Sequence, residues 1–224
     1  MDAGSAYNTW ASQYDTNINK TRDLEGEALR VLLANIPFNS VLEIGCGTGK
    51  NTEWFIEKAN EVTAIDLSGE MLARAKEKIT SHKVQFKQAD IRFPWTYIDK
   101  QYDLVSFSLV LEHIHNLDHI FNEASKSLRP GGYVYIGELH PYKQYSGTKA
   151  RFDTEQGQQV VECFNHHISD FIQTAKKHRL TLVDLNEFFD KNERGETPGI
   201  LAIILKEDSV PAGYPKNNTG NNLS

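Results

Sequence analysis

Three glycines stand at every second position in Val41-Leu42-Glu43-Ile44-Gly45-Cys46-Gly47-Thr48-Gly49-Lys50-Asn51-Thr52, after an apolar run and with a carboxylate two places before the first. The pattern predicts a buried parallel strand that turns sharply into a helix beside a bound molecule. Glycine accepts strained dihedrals there and lets a ligand approach the main chain. Glu43 at the mouth of the loop suits a ligand with a cationic end and disfavours a pyrophosphate. A dinucleotide fingerprint built on Gly45 and Gly47 needs a third glycine at position 50. That position is Lys50. Asp66 lies 21 residues beyond Gly45, at the end of the next apolar run, where a carboxylate can accept both hydroxyls of a ribose. This supports an adenosine-bearing ligand without separating NAD from other nucleosides. Gln88-Ala89-Asp90-Ile91 ends a third apolar run. Asp90 can accept from an exocyclic amine while Ile91 packs on the ring.

Acid–base candidates come from histidine, which titrates near neutrality and can take a proton from a hydroxyl or amine. His140-Pro141-Tyr142 leaves the fifth predicted strand at its carboxyl end, where open α/β sheets bind ligands. His166 and His167 precede an amphipathic helix expected to cover the same mouth. These three are the candidate catalytic residues. His113, His115 and His119 also cluster, with His115 and His119 on one helical face. No cysteine or carboxylate beyond Glu112 stands at matching spacing, so no metal site is expected.

Positioning these groups requires alternating elements. Leu24, Ala28, Val31, Leu32 and Ile36 fall at helical spacing before Pro37. Strands are predicted at 41–44, 62–65, 84–86, 102–109 and 133–136, the fourth continuous enough to be buried on both faces. Between them lie a helix to about residue 59, and one capped by Ser68 with Met71, Leu72, Ala75 and Ile79 on one face. A third, over 117–128, is broken by Arg129-Pro130-Gly131-Gly132. This alternation predicts a doubly wound α/β parallel sheet. Residues 140–165 read as a polar, irregular insertion, followed by a helix over 167–178. Strands at about 180–187 and 200–206 are joined by a segment with Asn192, Gly195 and Pro198, and no helix separates them. They predict an antiparallel hairpin at the sheet's edge. Residues 208–224, rich in Asn, Gly, Pro and Ser, are expected to be disordered. The acceptor-like Asn217-Asn218-Thr219 there is not expected to be glycosylated.

The 224 residues, 39% hydrophobic and 24% charged, fit one globular domain over 1–207. A formal charge of -6 argues against a nucleic-acid partner, which would meet a basic face. Cys46 sits inside the glycine loop and Cys163 far from it, so a reducing, cytoplasmic setting is expected rather than a structural disulfide. No signal peptide is visible, and no apolar run approaches the roughly 20 residues of a membrane span.

Taken in order, these motifs resemble the class I S-adenosylmethionine-dependent methyltransferases. Glu43-Ile44-Gly45-Cys46-Gly47-Thr48-Gly49 is similar to their first motif, and Ala64-Ile65-Asp66-Leu67-Ser68 with Met71 to their ribose-binding strand. Gln88-Ala89-Asp90 resembles the adenine-contacting motif, Tyr102-Asp103-Leu104-Val105 through Leu111-Glu112-His113-Ile114 the fourth-strand segment, and Leu128-Arg129-Pro130-Gly131-Gly132 the turn before strand five. The resemblance covers about residues 40–140. It implies a seven-stranded Rossmann-like sheet, S-adenosylmethionine as cofactor and a small organic acceptor, in a monomer or homodimer. It also implies cofactor contacts from Glu43, Gly45, Cys46, Gly47, Thr48, Gly49, Asn51, Thr52, Asp66, Leu67, Met71, Ala89, Asp90, Ile91, Ser108, Leu109 and His113. Relatives with a pair like Tyr14-Asp15 close an N-terminal helix over the cofactor, which implies a lid over 1–36, with Tyr14 at the methionyl end and Arg22 at its carboxylate. Residues 140–180 are expected to cap the acceptor. Three alternatives stay open: an NAD-dependent oxidoreductase, a non-catalytic cofactor-binding protein, and a methyltransferase acting on protein side chains.

Overall fold

The computed structural model describes residues 3–11, 13–15, 19–154, 157–190 and 197–208. The expected tail from 209 onward, with its Asn217-Asn218-Thr219, and the predicted turn residues Asn192 and Gly195 lie outside the described residues. Seven strands form one sheet: β1 (Ser40–Ile44), β2 (Glu61–Asp66), β3 (Val84–Gln88), β4 (Tyr102–Ser108), β5 (Leu128–Leu139), β8 (Leu180–Phe188) and β9 (Ile200–Glu207). Their order is β3-β2-β1-β4-β5-β9-β8. The first five run parallel, and β9 pairs antiparallel with both β5 and β8. The doubly wound sheet with an antiparallel C-terminal hairpin is therefore the architecture found.

Period-two alternation explains why the sheet is covered on both sides. Leu42, Val105, Ile136 and Ile203 join one core with Phe107, Phe121 and Phe171. Their neighbours Val41, Leu104, Tyr135 and Ala202 join a second core with Leu29, Leu33 and Phe55. The helices supply the outer layers: α2 (Lys20–Leu33), α3 (Lys50–Lys58), α4 (Gly69–Lys78), α5 (Leu117–Lys126) and α7 (Ile168–Lys177). Ser68 caps α4 as its sequence position predicted, its Oγ accepting the Met71 N–H at 3.1 Å. Because β1 leads outward to β2 and β3 before the chain returns to β4, the sheet winds in two directions from β1. A crevice opens at the carboxyl ends of β1 and β4, where such sheets bind ligands.

Four expectations are corrected. The helix predicted over 117–128 stops at Lys126, and Arg129-Pro130-Gly131-Gly132 lies inside β5, where the β4–β5 register shifts between Tyr102 and Leu104. A bulge tolerates proline and a left-handed Gly131 at φ 76 that a regular central strand would not. Residues 140–165 are not irregular throughout. They hold a short helix α6 (Pro141–Tyr145), capped by His140 with proline in its first turn, and a separate hairpin of β6 (Arg151–Thr154) and β7 (Gly157–Val160). The segment 1–36 is not one packed unit. α1 (Ala3–Trp10) packs on α4, whereas α2 packs on β5 and β9 through Ala28 and Leu29. Likewise α7 packs on α5 and β8 through Phe171 and Ala175, within a helix layer and not over the strand ends. Among the described residues no helix is long and apolar enough to cross a membrane.

Gly137 in β5 sits where a Cβ would come within 2.5 Å of the Tyr135 hydroxyl and 2.6 Å of Glu25 Oε1. Those two groups are hydrogen bonded to each other in the core at 3.1 Å. Gly137→Ala is expected to cost about 1–3 kcal/mol, the usual penalty for overpacking. Chemical denaturation measures it, and an unchanged midpoint would contradict the packing described.

Candidate active site

A cleft of about 780 Å³, including its open mouth, lies over the carboxyl ends of β1, β2 and β4 and beneath α1. The glycine loop forms one wall. Gly45 (φ 74) and Gly47 (φ 54) are left-handed, and the Gly45 and Cys46 amides both donate to the Ile65 carbonyl, at 2.8 and 2.9 Å. A Cβ at Gly45 would stand 2.8 Å from a Val110 methyl, so no larger residue fits there. At Gly47 a Cβ would meet only Tyr14 Cε1, at 4.0 Å, so that glycine faces the open cleft. Gly49 (φ 86) is the N-cap of α3, turned away from the cleft toward Ile79.

Asp66 closes the end of β2. Its two oxygens accept amide N–H groups of Gly47 at 2.7 Å and Ser68 at 2.8 Å, while burial raises the carboxyl above its ordinary range. Leu67, Met71, Ala89 and Ile91 supply apolar wall, and Ser108, Leu109 and Val110 line the β4 side. Asp90 reaches the same cleft as an ion pair. Arg92 donates to it from Nη2 at 2.6 Å and Nε at 2.9 Å, and this holds its carboxyl below the usual range. Tyr7 and Tyr14 roof the cleft; Tyr7 stacks on Trp10 at 5.7 Å and Tyr14 meets the same ring edge-on at 5.0 Å. The turn carrying Tyr14 is pinned through Asp15, which accepts from the Thr48 hydroxyl at 2.6 Å and pairs with Lys78 at 2.7 Å.

Of the residues singled out from sequence, Tyr14, Gly45, Gly47, Asp66, Leu67, Met71, Ala89, Asp90, Ile91, Ser108, Leu109 and His113 meet in this cleft. Others shape it from outside. Cys46, Thr48 and Gly49 complete the loop behind it. Glu43 is buried under the loop, where the Thr52 hydroxyl donates to it at 2.6 Å, and burial pushes its carboxyl up to about 8. Asn51 donates to Glu25 at 3.1 Å and to Ser108 Oγ at 3.3 Å. Arg22 stands over the Tyr14 ring, 4.6 Å from its centroid, in an adjoining cavity. That second cavity shares Tyr7, Tyr14 and Leu109 with the first and adds Arg22, Glu112, Lys149 and Arg151.

The structure does not bring His140, His166 and His167 to the cleft. His140 is buried at the cap of α6, accepting the Tyr142 amide on Nδ1 and donating from Nε2 to Glu187 at 3.1 Å, and burial lowers its pKa. His166 donates to the Ile114 carbonyl at 2.8 Å, and exposed His167 lies 2.7 Å from the Tyr145 hydroxyl. His166 and His167 stand before α7, which docks on the face of the sheet, and His140 is held at the start of α6. The histidine at the cleft is His113, with Nε2 2.9 Å from the Tyr7 hydroxyl and Nδ1 2.8 Å from the Glu162 carbonyl. Tyr7, three positions before Trp10 and seven before Tyr14, was legible only through that helical spacing, and Cys163 beside His113 carried no signal at all.

A seven-stranded α/β fold with a glycine loop, a strand-end aspartate and an aromatic roof defines a nucleoside-conjugate binding protein. Residues 42–136 match the family described as "Methyltransferase domain". A malonyl-acyl-carrier-protein O-methyltransferase of Marinomonas sp. (strain MWYL1) is 30% identical over 205 residues, covering 86% of this chain and 75% of that one. Its counterpart from Salmonella typhimurium is 32% identical over 135 residues, covering 60% of this chain and 52% of the relative. The matched region thus spans about half the length of several curated relatives. The solved DhpI–SAH complex superposes with a TM-score of 0.73 at 24% identity, over 91% of this chain and 94% of that one, a likeness of fold. The chain belongs to the class I S-adenosylmethionine-dependent methyltransferases.

Glu43 ties this site to pH. Its carboxyl ionises near 8 when folded against an ordinary value of 4.5, so the folded chain holds the extra proton across that window. Stability therefore falls as pH rises from 4.5 toward 8. Glu43→Gln, which cannot ionise, is expected to lose part of that slope in melting temperatures recorded across the window. An identical slope in both proteins would contradict the assignment.

Proposed function

We propose that this chain binds S-adenosylmethionine in the β1–β2–β4 cleft and transfers its methyl group to a small organic acceptor. The observation that carries this is the pairing of a left-handed Gly45–Gly47 wall with carboxylates at the ends of the next two strands, Asp66 and Asp90. The donor set fits the cofactor's parts. Asp66 would take the ribose hydroxyls, Asp90 the adenine amine, and Leu67, Met71 and Ile91 the faces of the ring. Carbonyls near Gly45 and Ser108 suit the cofactor's ammonium. When bound, S-adenosylmethionine supplies a methyl carbon already activated on a sulfonium. The chain's part is to exclude water and align the acceptor, a positioning effect worth several kcal/mol, about 7–11 at best.

The second cavity is the natural acceptor site because it meets the first at Tyr7, Tyr14 and Leu109. Arg22, Lys149 and Arg151 around it favour an acceptor that carries negative charge, and the named relatives favour oxygen as the atom methylated. NAD is disfavoured by Lys50 in place of the third glycine. The free thiols Cys46 and Cys163 suit the reducing conditions of a cytoplasm.

Asp66→Ala is expected to lower S-adenosylmethionine affinity at least about tenfold, since two hydrogen bonds to a charged acceptor are lost. Calorimetry on the folded variant measures it. Unchanged affinity would put the ribose elsewhere.

A further inference from the structure

Glu112, His113 and Cys163 converge where the two cavities meet, with one ligand atom from each within 4.8 Å of the others. Two segments fix them. Glu112 and His113 lie on a single 3-10 turn, Leu111–His113, whose leading amides are gripped by the Glu138 carboxylate at 3.0 Å from Val110 and 2.8 Å from Leu111. Cys163 is brought alongside by its neighbour Phe164, whose amide donates to the Glu112 carbonyl at 2.7 Å.

The second observation is a buried, unpartnered carboxyl oxygen. Glu112 is 6% exposed, and its Oε2 has no hydrogen-bond partner. A buried carboxylate oxygen left unpaired is costly, and its neighbours here are a thiol and, in Glu138, another buried carboxyl. A cation meets that deficit. On His113 an Nδ1–H donated to the Glu162 carbonyl leaves the lone pair on Nε2, which accepts from the Tyr7 hydroxyl at 2.9 Å and lies 3.9 Å from Glu112 Oε1, so an ion would take it in place of the Tyr7 hydrogen bond. Metal-ligating histidines are typically steadied in this way through their outer N–H. The free Cys163 Sγ lies 3.8 Å from Nδ1 of the same ring.

One oxygen, one imidazole nitrogen and one sulfur make a donor set suited to Zn²⁺ and unsuited to Mg²⁺ or Ca²⁺. We propose that Glu112, His113 and Cys163 form a zinc-type metal site whose open fourth position faces the acceptor. His113 lines the cofactor cleft and Glu112 the acceptor cavity, so that position lies at their junction, beside the Tyr7 hydroxyl. An acceptor hydroxyl held there loses its proton to solvent near neutral pH, because the ion stabilises the oxygen anion. The chemical role rests on the methyl-transfer reading, but the site itself does not. Spacing along the sequence predicted no metal because Cys163 lies 50 positions from His113.

The test is metal binding on chelator-treated full-length protein. Zn²⁺ calorimetry is expected to give one equivalent per chain, and Co²⁺ loading a thiolate-to-cobalt charge-transfer band. Cys163→Ser is expected to abolish that band and weaken Zn²⁺ at least about 100-fold, and Glu112→Gln at least about tenfold. Cys46→Ser, the other cysteine, is expected to keep the band. Less than one equivalent, no charge-transfer band in the wild type, or Zn²⁺ affinity unchanged in both Cys163→Ser and Glu112→Gln would overturn the site. If Cys163→Ser does not fold, the wild-type and Cys46→Ser cobalt spectra decide alone. Titrating S-adenosylmethionine into the same metal-free protein separates the two readings. Cofactor binding without stoichiometric zinc overturns the metal site only. Zinc binding without cofactor leaves the site standing and overturns its role in methyl transfer.

Discussion

Everything in the binding region depends on how closely β1 and the segment after β4 approach each other at the switch point of the sheet. The chain leaves β1 through Gly45, where even a methyl group would collide with Val110. Val110 in turn is held by the hydrogen bond its amide N–H donates to the Glu138 carboxylate on the neighbouring strand. Three consecutive elements of the parallel sheet are thereby locked at their carboxyl ends. The glycine loop has only one way to turn, and that turn leaves Gly47 facing an open cleft beside Asp66. A cofactor cradle is thus a consequence of tight strand packing, not an addition to it.

Buried carboxyls serve the same region in different ways. Glu25 accepts from Asn51 and Tyr135 and so ties α2 to α3 and β5. Glu43 accepts from Thr52 and ties β1 to the start of α3. Glu138 accepts the amides of Val110 and Leu111 and shapes the turn that carries Glu112 and His113. Each of these is met by hydroxyl or amide donors, which makes the unpartnered oxygen of Glu112 stand out among them.

The parallel strands, the cap at Ser68 and the strand-end acids were legible because each rests on local periodicity or on a residue type at a strand end. Arg129-Pro130-Gly131-Gly132 was read as a breaker because proline and glycine signal a turn locally, whereas pairing with β4 carries the strand through as a bulge. The three candidate histidines fall outside the cleft for a related reason. Their neighbours in sequence predicted an amphipathic helix correctly, but the surface that helix covers is decided by Phe171 and Ala175 meeting α5 and β8. Glu43 was placed in the loop's mouth, and the pleat instead turns it inward toward Thr52. Tyr7 and Cys163 join Glu112 and His113 only through tertiary contacts of long sequence separation, which no local pattern encodes.

The central claim is that the cleft accepts the sulfonium nucleoside and not a dinucleotide. Parallel calorimetric titrations of the wild-type chain with S-adenosylmethionine, its demethylated product and NAD test it most directly. The account predicts saturable one-to-one binding of the first two and none of the third. Tight NAD binding with no response to S-adenosylmethionine would contradict it.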